Sequence, residues 1–494
     1  MHNCREEGYS MVQLPRIKLG LIAANRGFFS DELAAKMRNE TITAMREAGI
    51  EVVVPDESMT KLGCVETLKE AYIAGKLFRE QGVDGIVVAA VNFGDEQGVA
   101  AAIKTADLNV PIYIFGCQEE EVLTPSTPRR DSFCGLLSIG EALRQLGVEY
   151  TVGRVPILFP REEAFKKDIL RFAAVCRVVN GIRKARYGQI GARPDAFWTC
   201  RFDEKMLQRL GPTVVTLDLS EAIAAVQRMD PESAEVQQKM QQIAQYADAK
   251  GVPAEVVNKM ARFELFVERF IEEKGLDALA IQCWTSIQMN LGICTCTTMS
   301  RLGDRGIPCA CESDIMGTLS MHAALLASGA PATLADWNNL HNEDPELANL
   351  WHCGVYPTTF AKTPPRIGVQ EIIATTTGRD NATGVIEFEV KEGPVTLCRI
   401  TQSADGEWKA ALAQGTIEEN RAKTFGAYGW CRIPGLQRFY RDVLCRHFPH
   451  HVAMTLGSVG DVLWEALGNY FGMDVYAPDA ASGVWTPEPP FWSD

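Results

Sequence analysis

The sequence predicts an α/β protein with two Rossmann-like αβ domains followed by a β-rich C-terminal domain, a barrel or a sandwich. Up to about residue 354, short apolar runs rich in branched side chains alternate with helical segments. From about Val355, short β-rich runs follow one another between turn signals. The first pattern is typical of parallel sheets, and the second of sandwiches and barrels. We therefore place three domains at residues 1–160, 161–354 and 355–494.

The N-terminal elements follow one another regularly. After the apolar strand 17–23, a helix begins at the N-cap Ser30 and ends before Gly49. The next predicted elements are strand 51–55, helix 64–81, strand 85–90, helix 96–106 and strand 111–115. Right-handed crossovers make this a parallel sheet, and the strand ends form its binding edge. The sequence has no G-x-G-x-x-G after the first strand and no G-x-x-x-x-G-K-[ST], so a dinucleotide or nucleoside triphosphate site has no support.

The central domain repeats the alternation of helices and strands. Its predicted elements are helix 161–181, strand 187–190, helix 204–210, strand 213–218, a helical stretch 233–274, strand 278–282, and helical segments 290–302 and 312–327. In the C-terminal domain, the β-rich runs are 364–375, 384–390, 395–401 and 408–415, and helices return at 435–445 and 459–471. Turn signals such as GRDNATG and ADGE separate these runs.

Composition excludes several classes of protein. The net charge of the 494 residues is −14, which argues against a partner held by its phosphate backbone. No run approaches the ~18 apolar residues that span a bilayer. The first fifteen residues also lack the apolar segment of a secretory signal. We expect a cytoplasmic protein with no nucleic-acid or membrane partner.

The 15 cysteines predict reduced thiols that act mostly as small core residues. Their number is odd, and no C-x-x-C is present. The two C-x-C pairs, Cys294/Cys296 and Cys309/Cys311, have a spacing that fits neither zinc nor thioredoxin chemistry. A redox function is therefore the weakest interpretation.

Two acidic residues and a histidine cluster are candidates for chemistry. Glu312 lies in the apolar, cysteine-rich segment GIPCACESDIMG, Asp336 follows the apolar run ATLA, and HFPHH contains three of the seven histidines. Singly, each has a plain structural interpretation: a helix N-terminal charge, an N-cap and a surface loop. Together they form a Glu/Asp/His set of the kind that Mn²⁺, Mg²⁺ or Co²⁺ prefers, with positions open for substrate oxygens.

Four motifs together resemble the L-fucose isomerase / L-arabinose isomerase family of aldose–ketose isomerases. They are GIPCACESDIMGTLSMHAAL, LADWNN, LWHCG and FPHHVAMTLG. The resemblance implies that Glu312, Asp336 and His451 bind the metal, Mn²⁺ in the first place, and that Glu312 and Asp336 transfer the protons. It also implies a position near the sugar for Trp284. His352 matches a histidine that ligates metal in the arabinose branch, and we take it as a substrate-binding residue.

The resemblance also implies a homo-oligomer with active sites between subunits, in which N-terminal residues reach a neighbour's metal centre. Gln118, at a strand end, and Arg129 and Cys134, in the run PRRDSFCG, are candidates for such substrate contacts. Adjacent arginines suit a phosphate or sulfonate, because a guanidinium donates paired hydrogen bonds. The alternative is a solvated loop. Asn338 in ADWNN, a motif unlike that of the well-known members, is a further candidate.

The function implied is the isomerisation of a monosaccharide through a cis-enediolate. A deoxy sugar, a pentose and an anionic hexose such as sulfoquinovose remain open as substrates. Two alternatives are a non-catalytic sugar-binding or sensor protein, and a metal-dependent epimerase or hydrolase on the same scaffold. The first leaves the ACESD and PHHV motifs without a purpose, and product analysis separates the second from an isomerase.

Overall fold

The computed structural model describes residues 14, 16–120, 122–419, 423–478 and 485–492. Three sheets organise this part of the chain, and they contain five, four and nine strands. The structure is therefore mixed α/β with two parallel sheets and a large β-rich C-terminal sheet, and the predicted fold class is confirmed. Among the helices of the described ranges, none combines the length and the apolarity that crossing a membrane requires.

The N-terminal sheet is parallel throughout and has the strand order β2-β1-β3-β4-β5. Its strands are β1 Lys18–Ala24, β2 Glu51–Val53, β3 Gly85–Ala90, β4 Ile112–Cys117 and β5 Thr151–Leu158. The helices are α1 Asp31–Glu47, α2 Leu68–Gln81, α3 Glu96–Ala106 and α4 Ser132–Gln145. Alternate residues of the central strands belong to two separate apolar clusters, one on each face. Both faces are therefore covered, as expected for a parallel sheet.

The central sheet is also parallel, with the order β7-β6-β8-β9. Its strands are β6 Arg186–Ile190, β7 Thr213–Leu217, β8 Ala278–Ile281 and β9 Cys309–Ala310. The helices of this part are α5 Glu163–Lys184, α6 Glu204–Leu210, α7 Leu219–Arg228, α8 Ala234–Tyr246, α9 Ala254–Lys274, α10 Ser286–Leu291, α11 Cys296–Asp304 and α12 Ile315–Ser328. Every residue of α12 is buried, because it packs between this sheet and the C-terminal strands.

The C-terminal sheet closes on itself. Its strands are β10 Ala332–Leu340, β11 Leu347–His352, β12 Arg366–Val369, β13 Thr383–Glu389, β14 Gly393–Gln402, β15 Trp408–Glu418, β16 Ala427–Arg432, β17 His451–Leu456 and β18 Asp474–Tyr476. The order is β12-β13-β16-β11-β10-β17-β14-β15-β18, and β15 pairs again with β16. Six of the strands thus form a closed antiparallel barrel, in which no edge is left unpaired. The helices are α13 Glu371–Thr377, α14 Leu436–Cys445, α15 Gly460–Trp464 and a π-helical segment Glu465–Tyr470.

Two features of the barrel differ from the sequence-based expectation. Strands β10 and β11, expected in the central domain with Asp336, pair with β17 and β16 of the barrel. The partner β17 lies more than 100 residues after β10 in the chain, so no local pattern reveals this pairing. The expected β-run 364–375 is strand only at β12, because the Gln370 side chain accepts hydrogen bonds from two backbone N–H groups and starts a helix there.

Candidate active site

A cavity of about 250 Å³ lies where the central sheet meets the barrel. Glu312 enters it from the turn between β9 and α12, and Asp336, His352 and His451 enter it from the barrel strands. Glu312, His352 and His451 are each at most 6% exposed. Burial of so many ionisable side chains is costly unless they are paired or bind a ligand, which marks this cavity as the candidate active site.

The turn that carries Glu312 has an unusual backbone. Glu312 and Ser313 have φ values of 52° and 53°, in the left-handed region that residues with a Cβ rarely adopt. The backbone N–H of Ser313 donates to the Ile281 carbonyl at 3.1 Å, which holds the turn against the end of β8. A residue in this conformation destabilises the fold by ~1–3 kcal/mol. The strained turn positions the Glu312 carboxylate at the carboxyl edge of the parallel sheet, where ligands usually bind.

The other three side chains come from adjacent strands of the barrel, and strand register brings two of them together. Asp336 on β10 lies directly opposite His451 on β17 and opposite Trp351 on β11. His352 follows Trp351 and is the last residue of β11. Because directly paired residues share a face and neighbouring strands lie only ~4.8 Å apart, Asp336 and His451 are close to each other. His352 lines the same cavity from the end of β11.

Two carboxylate oxygens face the same imidazole nitrogen. The Nε2 atom of His451 is 3.5 Å from Glu312 Oε2 and 3.6 Å from Asp336 Oδ1. Both oxygens are buried and have no hydrogen-bond partner. These separations exceed good hydrogen bonds but match those between ligands of an ion held at ~2.1 Å. The donors form two overlapping groups, Glu312 with His352 and His451, and Asp336 with His450 and His451, and within each group the donor atoms lie within 4.8 Å of one another. His451 is common to both groups, and carboxylate and imidazole donors of this kind fit a divalent cation.

His451 is oriented by a buried ion pair behind it. Its Nδ1 atom is 2.8 Å from Asp314 Oδ2, and since a carboxylate only accepts, the Nδ1–H donates and Nε2 keeps its lone pair. Arg399 binds the same carboxylate at 2.6 and 3.2 Å. Burial alone would raise the pKa of Asp314, but Arg399 and His451 outweigh this and hold it well below its usual range. A carboxylate behind a histidine in this way fixes a metal-binding tautomer.

His352 presents its two nitrogens to different surroundings. The backbone N–H of Cys353 donates to Nδ1 at 2.9 Å, and Nε2 is 3.9 Å from Glu312 Oε2. Burial lowers the pKa of His352, and without a cation the negative charges of Cys353, Asp336 and Glu312 outweigh this and raise it. A cation bound by the carboxylates cancels much of that charge and favours the neutral ring. In the neutral ring Nδ1 is unprotonated, because two facing N–H groups would repel, and the proton lies on Nε2, towards the cavity.

The Trp284 side chain is hydrogen-bonded to Glu312. Its Nε1–H donates to Glu312 Oε1 at 3.0 Å, and its ring meets Phe197 edge to face at 5.1 Å. Burial raises the pKa of Glu312, and positive charge on His352 or His451 and the hydrogen bond from Trp284 would offset this only in part. A buried carboxylate with a raised pKa is suited to accepting a proton near neutral pH.

We expect Trp284→Phe to lower kcat by about tenfold, because a hydrogen bond to a charged group contributes ~1.5–3 kcal/mol. Loss of the N–H also raises the pKa of Glu312 further, and Glu312 must be ionised to accept a proton. The acidic limb of the kcat–pH profile therefore shifts to higher pH. Trp464→Phe is the matched control, since the Trp464 indole donates to the Thr486 carbonyl, outside this cavity. An unchanged acidic limb would contradict the assignment.

Three predicted substrate contacts do not line the cavity of their own chain. Gln118, Arg129 and Cys134 are exposed at the carboxyl edge of the N-terminal sheet. Arg129 Nε donates to Asp131 at 2.6 Å. The adjacent Arg130 is 1% exposed and lies 3.4 Å from Glu120, so its charge is already partnered within the chain. These three residues form no part of the site within one subunit.

Asn338 also lies outside the cavity, although it follows Asp336 by two residues. In a regular strand both side chains would share a face. However, the pairing of β10 with β11 shifts register between Trp337 and Asn339, and Asn338 is left without a partner in the ladder. This bulge exposes Asn338.

Several residues of the site carried little or no signal in the sequence. Asp314 follows Glu312 by two residues. Its position is typical of an N-cap of α12, and nothing in the sequence indicates that it also binds His451. Arg399 interrupts the apolar strand VTLCRI, and a charged residue in such a run is the signal that could have indicated a buried ion pair. Phe197 lies in an irregular loop after β6 with no pattern to distinguish it.

A buried set of carboxylates and imidazoles within a cavity of this size is typical of the active site of an enzyme that acts on a small polar substrate. Residues 20–183 match the model for the N-terminal domain of fucose/sulfoquinovose isomerase, and residues 350–477 match that for the C-terminal domain of L-fucose isomerase. Together these ranges span more than half of the chain. The chain belongs to the L-fucose isomerase-like family, and it is an isomerase that interconverts an aldose and a ketose.

Individual relatives agree with this assignment. A sulfoquinovose isomerase of Priestia megaterium is 25% identical over 462 residues, which cover 92% of this chain and 97% of that protein. One of Alkalicoccus urumqiensis is 28% identical over 65% of this chain and 70% of its own length. A periplasmic solute-binding protein of Actinobacillus succinogenes with bound D-allose is 11% identical, covering 65% of this chain and 85% of that one, with a TM-score of 0.16. Because the matching family models and relatives are isomerases, the non-catalytic alternative is set aside.

Proposed function

We propose that the protein is a metal-dependent isomerase of a monosaccharide, which acts through a cis-enediolate with Glu312 and Asp336 as the acid/base pair. One observation carries the proposal: Glu312 Oε2 and Asp336 Oδ1 are buried without hydrogen bonds and both face Nε2 of His451. A cation bound to His451 Nε2 would take its further ligands from these two carboxylates. A hydrolase or epimerase would need the same ligands, but it would not interconvert an aldehyde and a ketone.

The chain's own residues divide the proton transfers between them. Glu312, the more deeply buried carboxylate, takes the proton from one carbon of the sugar and returns it to the neighbouring carbon. Asp336, on the barrel side, moves the hydroxyl proton between the two oxygens. His352 offers Nε2–H as a donor to a sugar oxygen. The Trp284 hydrogen bond holds the Glu312 carboxylate in place while it is charged.

Manganese is the cation we propose first, with Mg²⁺ and Co²⁺ as alternatives. Two carboxylates and one imidazole form a hard-to-borderline donor set, which these ions share. When bound, such an ion polarises the substrate carbonyl and orients the two reacting oxygens. The Asp314–Arg399 pair supports this site, because it holds His451 in the tautomer that leaves Nε2 free.

The substrate class we favour is an anionic hexose, and sulfoquinovose in particular. The named activity of the relatives supports this choice, since the described relatives are sulfoquinovose isomerases. Deoxy sugars and pentoses remain candidates, because the cavity itself contains no free cationic side chain among its lining residues. An anionic group therefore needs a positive charge from outside this chain's cavity.

We further propose a homo-oligomer in which a neighbouring subunit completes the site. Gln118, Arg129 and Cys134 are exposed at one sheet edge, as contacts with another subunit require. Phe28 in the same region is 81% exposed, which is unusual for a large apolar side chain. Arg129, half-exposed at its ion pair with Asp131, would supply the positive charge for an anionic sugar.

Removal of the metal tests the proposal most directly. We expect EDTA treatment to abolish turnover, and Mn²⁺ to restore it, on one class within a panel of fucose, arabinose, neutral hexoses and their 6-phosphate and 6-sulfonate forms. Mg²⁺ and Co²⁺ are compared in the same assay. Undiminished isomerisation by protein shown to be free of metal would contradict metal dependence.

The role of Arg129 has a separate test. We expect Arg129→Ala to raise KM for a 6-sulfonate sugar by at least tenfold, since a charge-assisted hydrogen bond contributes ~1.5–3 kcal/mol, and to leave KM for a neutral sugar unchanged. Arg144→Ala is the control, because Arg144 is an exposed arginine of the same domain in an ion pair with Glu149. Equal effects of both variants would refute the role.

A further inference from the structure

A group of buried thiols lies beside His352, and one of them, Cys311, also lies within 4.8 Å of Glu312. Cys296 begins α11, Cys311 follows β9 and Cys353 follows β11, so three distant segments supply one sulfur each. None of the three is more than 7% exposed. We refer to Cys296, Cys311, Cys353 and the Nδ1 atom of His352 as the thiol cluster. The reaction proposed above uses none of these sulfurs.

The sequence spacing of these cysteines did not predict a site. Each C-x-C pair contributes only one member, Cys296 or Cys311, and the third sulfur comes from the motif LWHCG. Tertiary structure assembles donors that no local motif contains.

The distances within the thiol cluster suit a metal ion better than a disulfide. The sulfurs of Cys296 and Cys353 are 3.9 Å apart, and His352 Nδ1 is 3.2 Å from the Cys353 sulfur. The donor atoms of Cys311, His352 and Cys353 all lie within 4.8 Å of one another. A disulfide needs ~2.05 Å. Zinc–sulfur bonds of ~2.3 Å in a tetrahedron place neighbouring sulfurs ~3.8 Å apart.

We propose that the thiol cluster is a second cation site, selective for a thiophilic ion such as Zn²⁺ and distinct from the carboxylate site that holds the catalytic ion. Its ligands are the sulfurs of Cys311 and Cys353 and His352 Nδ1, which exchanges its hydrogen bond from the Cys353 N–H for the ion. The sulfur of Cys296, next to that of Cys353, is the fourth ligand. Soft thiolates select Zn²⁺ over Mn²⁺ or Mg²⁺, whereas Glu312 and Asp336 favour the harder ions. Binding releases the thiol protons to solvent, so affinity rises with pH.

The thiol cluster borders the candidate active-site cavity, in which the sugar is proposed to bind. Cys296 and Cys353 line that cavity together with Cys283 and Cys294, so an ion reaches the cluster through it. His352 then connects the two sites, with Nδ1 on the soft ion and Nε2 towards Glu312. An ion in the cluster occupies the cavity wall and holds the imidazole, and isomerase activity falls as a result.

The first test uses the wild-type protein and needs no substitution. Reduced enzyme is loaded with Mn²⁺, one equivalent of Zn²⁺ is added, and X-ray absorption is measured at the zinc edge. We expect a first shell that contains sulfur at ~2.3 Å together with nitrogen. A shell of only oxygen and nitrogen would place zinc at the carboxylate site and overturn the proposal. Absence of bound zinc after desalting would overturn it equally.

Variants then assign the ligands. In the Mn²⁺-loaded enzyme, Cys296→Ser and Cys353→Ser are each expected to weaken zinc binding by at least tenfold, and Glu312→Gln to leave the sulfur shell unchanged. Cys431→Ser is the matched control, since Cys431 is a fully buried thiol of the barrel outside the cluster. Thermal unfolding confirms that each variant is folded. Equal affinity for all of the cysteine variants would refute the assignment.

Discussion

Glu312→Gln is expected to lower kcat by about 10²- to 10⁴-fold, the usual contribution of a positioned general acid or base. The amide keeps the shape of the side chain and its hydrogen bond from Trp284, but it cannot accept a proton from carbon. It also removes one negative charge from the metal ligands, so Mn²⁺ affinity falls. The measurements are kcat on the sugar identified by the panel and a Mn²⁺ titration of the metal-free protein.

The control for this substitution is Glu387→Gln. Glu387 is 8% exposed and pairs with Arg366 at 2.7 Å, so it is a comparably buried glutamate outside the cavity. We expect little change in kcat for this variant. Glu312→Gln with unchanged kcat and unchanged metal affinity would exclude Glu312 from both of its proposed roles.

Arg399→Met has the largest expected effect on stability. Arg399 is 1% exposed and Asp314 is fully buried, and removal of one partner leaves an uncompensated buried charge. Such a change costs ~3–5 kcal/mol in the free energy of unfolding. Because Asp314 also orients His451, Mn²⁺ affinity is expected to fall ~10- to 100-fold. Chemical denaturation and metal titration measure the two effects.

A double variant separates the two effects. Asp314→Asn combined with Arg399→Met removes both charges, so much of the lost stability returns, while His451 still lacks its carboxylate and metal affinity stays low. Arg366→Met is the control, because its side chain is 69% exposed in the ion pair with Glu387 and such pairs contribute ~0–1 kcal/mol. Stability equal to wild type in Arg399→Met would contradict the buried-pair interpretation.

The architecture was predictable because local patterns encode it. Strand β1 and helix α1 follow directly from an apolar run, an N-cap at Ser30 and the stop at Gly49. The partition between the second and third domains was not predictable in the same way. Strand β10 follows α12 directly in the sequence, which suggests that both belong to the central domain. However, β10 pairs with β17, which lies over 100 residues further along the chain, so it belongs to the barrel.

The candidate site shows the same division. Glu312, Asp336 and His451 were identified because short motifs surround them, and the structure brings the three to one cavity. Their roles in catalysis and metal binding stay predictions. Arg399 behind Asp314, and Phe197 against Trp284, were not identified, since neither residue belongs to a motif.

The sequence by itself determined the α/β class, the β-rich C-terminal part and the identity of the main ionisable side chains, since each depends on local periodicity or a short motif. Only the tertiary structure decided which atoms face one another. It placed the unpaired oxygens of Glu312 and Asp336 beside His451 Nε2, and it put Asn338 on a bulge outside the cavity. The physical reason is that barrel closure and strand register depend on pairings between distant segments, and a shift of one residue moves a side chain to the opposite face.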